Sequence, residues 1–315
     1  MGSSARCPHI GRPFLVEVAR MPQTEILFCR PVTAQALDDR MDLEAEAAEE
    51  LGIAHHPVVL EDVVDGEFER ALELLPQRGR RLLYRGWMLT EDEYSALYEA
   101  LLERGHTLVV SPDEYAAAHY LPNYHPELQD LAVPARWTFG TDLDEAWEAA
   151  RELGEGPWVL KDHVKSVKER WHHCCFVPGG ASRERFIEIC ENLIEERGER
   201  FERGLVIRPY VPLRRVAQTE ERPLHYEFRL FFASGRLIAS EVYDDVDVLK
   251  PDLSRFASLG RRIDSPFFTA DVAMLESGDW VVVELGDGGV STLPPLMDPR
   301  DFYRSLQGSD LWDEG

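Results

Sequence analysis

The residues best placed to do chemistry lie in FFTADVAMLESGDWVVVELGDGG, 267–289, where single acids interrupt two apolar runs. The runs flank Glu276-Ser277-Gly278-Asp279 and read as two strands of a hairpin with a two-residue turn at Ser277-Gly278. That turn places Asp271 directly opposite Glu284, on one face of the sheet. Directly opposed side chains have Cβ atoms about 4.5–5.5 Å apart, and like charges there repel. The pairing therefore predicts a cation between the two. Ligands that are all oxygen point to Mg²⁺, or Mn²⁺ in its place, serving a phosphorylated substrate. Asp287 adds a third carboxylate at the strand's mouth. A solvated hairpin whose acids merely face water is the competing account, and the apolar runs, which imply a buried sheet, argue against it.

Cations that suit an anionic substrate lie upstream. Lys161 interrupts the apolar strand WVLKD (158–162), where a lysine is costly unless its ammonium meets an anion. Lys165, Lys168 and Arg170 follow in one loop, a positive segment suited to polyphosphate through point charges. Arg229, in YEFRLFF, shares a face with Glu227. Its guanidinium either forks two phosphate oxygens and stabilises charge developing during transfer, or is tied to Glu227 as a structural pair. Arg85 and Trp87 stand at the end of the strand RLLYRGW (81–87), where α/β sheets commonly bind ligand. Two accounts compete there, an acceptor site built on the Arg85 fork and a buried Trp beside a locally paired Arg. Tyr120 and His125, with His119, are further residues for a substrate-facing segment. His172-His173-Cys174-Cys175 invites a zinc reading, but adjacent residues on a strand point to opposite faces, so zinc is not adopted.

The elements that must position these residues follow from hydrophobic periodicity. Over 24–112, strands at 24–31, 55–63, 81–87 and 107–112 alternate with helices, which predicts an α/β lobe with a largely parallel sheet. Residues 1–23 read as irregular and 113–140 as a connector rich in Tyr, His and Pro. Over 141–306, hairpins and amphipathic helices predict a two-half α+β unit with its helices packed to one side. HHCCFV (172–177) reads as one of its strands, and 307–315 as a frayed tail.

The formal net charge of −24 opposes non-specific nucleic-acid binding, which rests on neutralising phosphates. It leaves room for a local basic cleft. No apolar run reaches the roughly 20 residues of a membrane span. Five cysteines, odd in number and without zinc spacing, fit a reducing cytoplasm.

Together these motifs resemble the ATP-grasp superfamily. The likeness rests on the strand lysine Lys161, Lys165 in the next loop, the strand and hinge Val206-Ile207-Arg208-Pro209-Tyr210-Val211, the hairpin arginine Arg229, and Asp271 with Glu284. A closer likeness is to the clade named for one arginine and two lysines, carried by Tyr84-Arg85-Gly86-Trp87, the Glu284-Leu285-Gly286-Asp287-Gly288 run and Phe302-Tyr303. The resemblance implies ATP between two α+β halves, its adenine against the hinge Ile207–Val211, with Mg²⁺ bridging its phosphates. Lys161, Lys165, Glu227 and Arg229 would surround the nucleotide, and Arg229 and Lys165 would take part in catalysis. The implied activity is an ATP-dependent ligase that activates a carboxylate as an acylphosphate for attack by an amine or other nucleophile. Its acceptor would be a small molecule or peptide. Two alternatives stand beside it: an RNA end-joining ligase, against which the acidity weighs, and a nucleotide-binding assembly chaperone. Two departures from the superfamily pattern are visible. Position 286 is Gly where an Asn is usual, and DHVKSVKERW replaces the glycine-rich phosphate lid.

Overall fold

The computed structural model describes residues 24–31, 39–219 and 222–313; the irregular segment expected over 1–23 lies outside them. Four strands, β1 (Glu25–Arg30), β2 (His55–Val59), β3 (Arg81–Arg85) and β4 (Thr107–Leu108), form a parallel sheet in the order β2-β1-β3-β4. The near-continuous apolar run of β1 is what a parallel strand covered on both faces requires. Helix Glu91–Glu103 opens on a capping box in which Thr90 accepts from the Glu93 amide and the Glu93 side chain accepts from the Thr90 amide. Two expected strands are shorter than their apolar runs. The chain turns helical at Leu60 after β2, and β4 keeps only two residues before Ser111 caps a helix over Pro112–His119.

The 113–140 stretch is structured. After Pro112–His119 come a turn of helix at Leu121–Tyr124, a 3₁₀ turn at His125–Leu128 and β5 (Arg136–Trp137). Ala118, Leu121, Tyr124 and Leu128 are buried in a shared core with the sheet described next but one. The prolines of this connector mark short helical turns, because proline fits the first turn of a helix.

The remaining strands build two antiparallel layers. β5, β6 (Trp158–Asp162), β7 (Phe176–Val177) and β8 (Leu205–Pro209) form one sheet in the order β5-β8-β6-β7, backed by helices Leu143–Arg151 and Arg183–Arg197. After a small hairpin, β9 (Arg215–Gln218) with β10 (Pro223–His225), comes the second sheet. Its strands are β11 (Glu227–Ala233), β12 (Arg236–Val242), β13 (Phe267–Met274) and β14 (Trp280–Asp287), in the order β12-β11-β13-β14. The strand expected over 172–177 is confined to β7, since Trp171–Cys175 forms a π-helical turn.

The last helices return to the first lobe. Phe302, Tyr303 and Leu306 of helix Pro299–Gln307, with Leu311 and Trp312, share one core with Ile26, Leu27, Phe28 and Leu83. Residues 307–313 are thus no frayed tail. Trp312 is 4 % exposed, and its carbonyl accepts a hydrogen bond from Thr24. Phe231, Ala233 and Phe267 of the second sheet belong to the same core, which fixes that sheet against the first lobe.

Candidate functional site

The pairing of Asp271 with Glu284 is present, by a route other than a tight turn. Near the turn the partners are Met274↔Trp280, Ala273↔Val281 and Val272↔Val282, one residue out of the register that a Ser277-Gly278 turn gives. The connection is longer, with the Leu275 amide donating to Asp279. Carried on, that register would set Val283 opposite Asp271 and turn Glu284 to the far face. A bulge between Asp271 and Val272 on one strand takes up Val283 on the other, and Asp271↔Glu284 results.

Protein cations hold both carboxylates. Arg229 stands directly opposite Asp271 across β11 and β13, and forks it with Nε to Oδ1 and Nη2 to Oδ2 at 2.8 Å each. Its third donor reaches the Thr292 carbonyl, and its face lies 4.7 Å from the Tyr243 ring centroid. The partner of Arg229 is therefore Asp271 and not Glu227. Lys161, on β6, crosses from the first antiparallel sheet to the second, its Nζ 2.5 Å from Glu284 Oε1. Burial alone would raise the Glu284 carboxyl, but Lys161, Lys165 and Lys168 reverse that and hold it well below the usual carboxylate range. Glu227 is buried, and among the described residues it has no ion pair at bonding distance. Burial pushes its pKa up to about 7, with Asp271 and Asp244 adding to the rise against Lys168 and Arg229. Lys168, exposed on its loop, sets its ammonium over the Tyr243 ring, and against the desolvation of that ammonium Glu227 and Glu284 hold its pKa above the ordinary lysine value.

Lys165 lines a cleft of about 130 Å³, partly open to solvent, together with Arg229, Glu284 and Tyr243. Met41, Trp87, Met88 and His119, from the first lobe and connector, line the same cleft. Lys165 is held in place by its neighbour Asp162. One carboxylate oxygen accepts from the Val164 and Lys165 amides, and the other accepts from Arg197. Sequence reasoning passes over Asp162, one residue past Lys161, though an aspartate three residues before a loop lysine is a recognisable turn pattern. His119 is 94 % buried with Nδ1 unpartnered, and burial, with Lys165 nearby, lowers its pKa to about 3. Tyr243 has no sequence signal that distinguishes it.

Several expected site residues are placed elsewhere. Arg85 is fully buried with every donor in use. It forks Glu44 through Nε and Nη2, and its Nη1 donates to the Gly288 and Ser291 carbonyls. A free fork at a strand end is thus replaced by a pin between the first lobe and the run after Glu284. The Gly86 amide donates to the Gly289 carbonyl beside it, and a Cβ on Gly289 would meet the Tyr84 carbonyl at 2.5 Å. The two glycine-containing motifs are one seam. Trp87 leaves that seam 45 % exposed and faces the cleft. Asp287 does not join Asp271 and Glu284. Three residues on from Glu284 it lies on the other face, 1 % exposed, accepting from the Gly289 amide, and burial pushes its pKa up to about 7. Tyr120 is buried, donating to Glu202 under the Arg203 guanidinium, and buried His125 bonds the Val133 carbonyl. Neither faces the cleft.

In the hinge, Ile207 is core and Arg208 points to the second sheet, its Nη1 donating to the Val283 carbonyl at 2.6 Å. Pro209 ends β8, and the Tyr210 amide is committed to the Pro157 carbonyl, which leaves Val211 as the next hinge amide for a ligand. The π-helical turn also overrides the strand argument used against zinc. It brings donor atoms of His173 and Cys174 within 4.8 Å of each other and of Glu196. Arg170 already pairs with Glu196, and burial raises the Cys174 thiol.

Residues 152–306 match the model of an ATP-grasp domain family, the third of the clade named for one arginine and two lysines. The match supports the resemblance of this part of the chain to that clade of the ATP-grasp superfamily. Solved structures agree on the fold. A RimK domain protein ATP-grasp from Sphaerobacter thermophilus DSM 20745 is 18 % identical with a TM-score of 0.54, over 91 % of this chain and 96 % of that one. The D-alanine-D-alanine ligase from Coxiella burnetii is 10 % identical with a TM-score of 0.58, over 93 % and 96 %. The N5-carboxyaminoimidazole synthetase from Staphylococcus aureus is 11 % identical with a TM-score of 0.56, over 92 % and 78 %. No curated protein matches the sequence.

Proposed function

We propose that this chain is an ATP- and Mg²⁺-dependent ligase that activates a carboxylate as an acylphosphate. One observation carries the reading: Lys165, Arg229 and Glu284, drawn from a loop and the second sheet, line one cleft, and Lys161 and Asp271 bond to Glu284 and Arg229 there. Asp271 and Glu284 fit a divalent cation by donor type and by register, both being carboxylates opposed across one strand pair. Bound there, Mg²⁺ would neutralise phosphate charge and orient the nucleotide. The chain's own residues do the rest. Lys161 and Lys165 bind phosphate oxygens, the first on leaving Glu284. Arg229, held by Asp271 and the Thr292 carbonyl, presents fixed positive charge where negative charge develops during transfer. The carboxylate substrate enters beside Trp87 and His119, first-lobe and connector residues that line the same cleft as Lys165 and Arg229, which sets it against the phosphates. Apolar Met41, Trp87 and Met88 exclude water from the activated group.

The test is the nucleotide product when purified protein is incubated with Mg·ATP and then with metabolite pools. Acceptor-dependent release of ADP is expected. AMP with pyrophosphate overturns the acylphosphate route. Tight ATP binding without turnover assigns the site to nucleotide sensing or assembly.

A further inference from the structure

We propose that Arg208 is a positioning residue that sets the aim of Glu284 by holding the β14 bulge. This rests on the reading of Asp271 and Glu284 as the metal carboxylates. Glu284 reaches the Asp271 face only because Val283 is taken out of register. A bulge leaves ladder groups unpaired, and an unpaired carbonyl away from water is costly unless a donor meets it. The Val283 carbonyl lies on an edge strand, and Arg208 Nη1 meets it at 2.6 Å. On the preceding residue, the Val282 amide donates to the Leu131 carbonyl, so connector and hinge together grip both residues at the bulge.

The geometry of the first antiparallel sheet makes this specific. Val159 pairs with Arg208 and Lys161 with Val206, so Lys161 and Arg208 project from one face toward β14. One takes the side chain of Glu284, and the other takes the backbone carbonyl just before it. Arg208 forms no ion pair among the described residues, and its pKa is lowered by burial, with Tyr124 and Glu284 opposing. A half-buried guanidinium spent on a carbonyl is a costly way merely to fill space. Without that bond the straighter register competes, in which Glu284 faces Ala270 and the core behind it.

The experiment titrates Mg²⁺ against ATP binding by calorimetry in wild type, Arg208→Met, Arg208→Lys and Glu284→Gln, each also in a thermal melt. Arg208→Met is expected to raise the Mg²⁺ midpoint about tenfold, as loss of a supporting partner does at metal sites. That rise should exceed any change in metal-free ATP affinity. Arg208→Lys, which keeps a donor, should recover part of it. In the Glu284→Gln background, Arg208→Met should add little, because the two act through one group. An unchanged Mg²⁺ midpoint in Arg208→Met, or full additivity with Glu284→Gln, overturns the proposal while the metal reading stands. A wild type whose ATP binding ignores Mg²⁺ overturns both.

Discussion

Among the described residues, two of the bidentate arginine–carboxylate forks join a strand arginine to an acid far along the sequence. Arg85 with Glu44 lies in the first lobe, 0 % and 3 % exposed, with Tyr303 donating to the same carboxylate and every guanidinium donor spent. Arg229 with Asp271 lies in the second sheet, at the wall of a cleft that also holds Lys165 and Glu284. The pairs are chemically alike. What separates them is whether a ligand can reach the pair and whether other charges surround it. The first is a pin closed on all sides. The second has partners that a phosphate or metal can replace.

The comparison is broken most severely at the pin. Arg85→Ala leaves Glu44 charged and buried, which is expected to cost about 3–5 kcal/mol of stability in chemical denaturation. All activity should fall in parallel with the folded fraction. Arg85→Met with Glu44→Leu should recover most of that loss, since an apolar pair of similar volume suits a dry site. A stable Arg85→Ala that loses only acceptor-dependent turnover would restore Arg85 to the substrate site.

At the cleft the balance is reversed. Arg229→Ala should lower turnover about 10²–10³-fold, the scale of a lost charge-stabilising donor. Its loss of stability should be smaller than that of Arg85→Ala, measured in the same denaturation series.

Asp271→Asn and Glu284→Gln should each raise the Mg²⁺ requirement of nucleotide turnover by about tenfold or more. Repulsion between opposed acids alone predicts metal-free variants no less stable than wild type. Since Arg229 and Lys161 hold these acids, the sign is reversed. Each metal-free variant should melt lower, by about 2–4 °C for each kcal/mol lost.

Lys165→Ala should reduce turnover more than ATP affinity. Its backbone is fastened by Asp162, so Asp162→Ala should reproduce part of that loss by freeing the loop. Equal loss of ATP binding in both would make Lys165 an affinity residue.

The smallest effect is a pH dependence at Asp287. Its folded pKa is raised to about 7 by burial, opposed by the Gly289 and Val290 amides and Arg85, with Glu114 adding to the rise. Between the unfolded carboxylate's range and that value the folded state holds the extra proton, so this contribution to stability falls as pH rises. Asp287→Asn, which has no proton to lose, should gain in melting temperature relative to wild type between about pH 4 and 8. A constant difference across that range would show that Asp287 is ionised throughout.

Much of the site is legible in sequence because its signals are local. Lys161 in WVLKD and Asp271 and Glu284 in apolar strands each violate the pattern around them, and a charge in an oily strand needs a partner whatever the fold. The opposed pair is even predicted through a turn that is not there. The Val283 bulge restores the same pairing, and nothing in the residues near the turn announces it. Arg85, Tyr120 and His125 are misplaced for the converse reason. Their types suit a substrate, but Glu44, Glu202 and Val133, which engage them, are unremarkable in sequence.

The sequence by itself determined the alternation of strands and helices, the α/β lobe ahead of an α+β unit, and which residues carry charge into the core. These follow from periodicity and from the cost of burying an ion, both read within a few residues of chain. Tertiary structure alone decided which arginine is open to ligand, which face Asp287 takes, and that the last helices close the first lobe's core. Those outcomes depend on contacts between residues far apart in the chain, such as Glu44 with Tyr303 and Lys161 with Glu284, and burial is a property of that meeting and not of either residue.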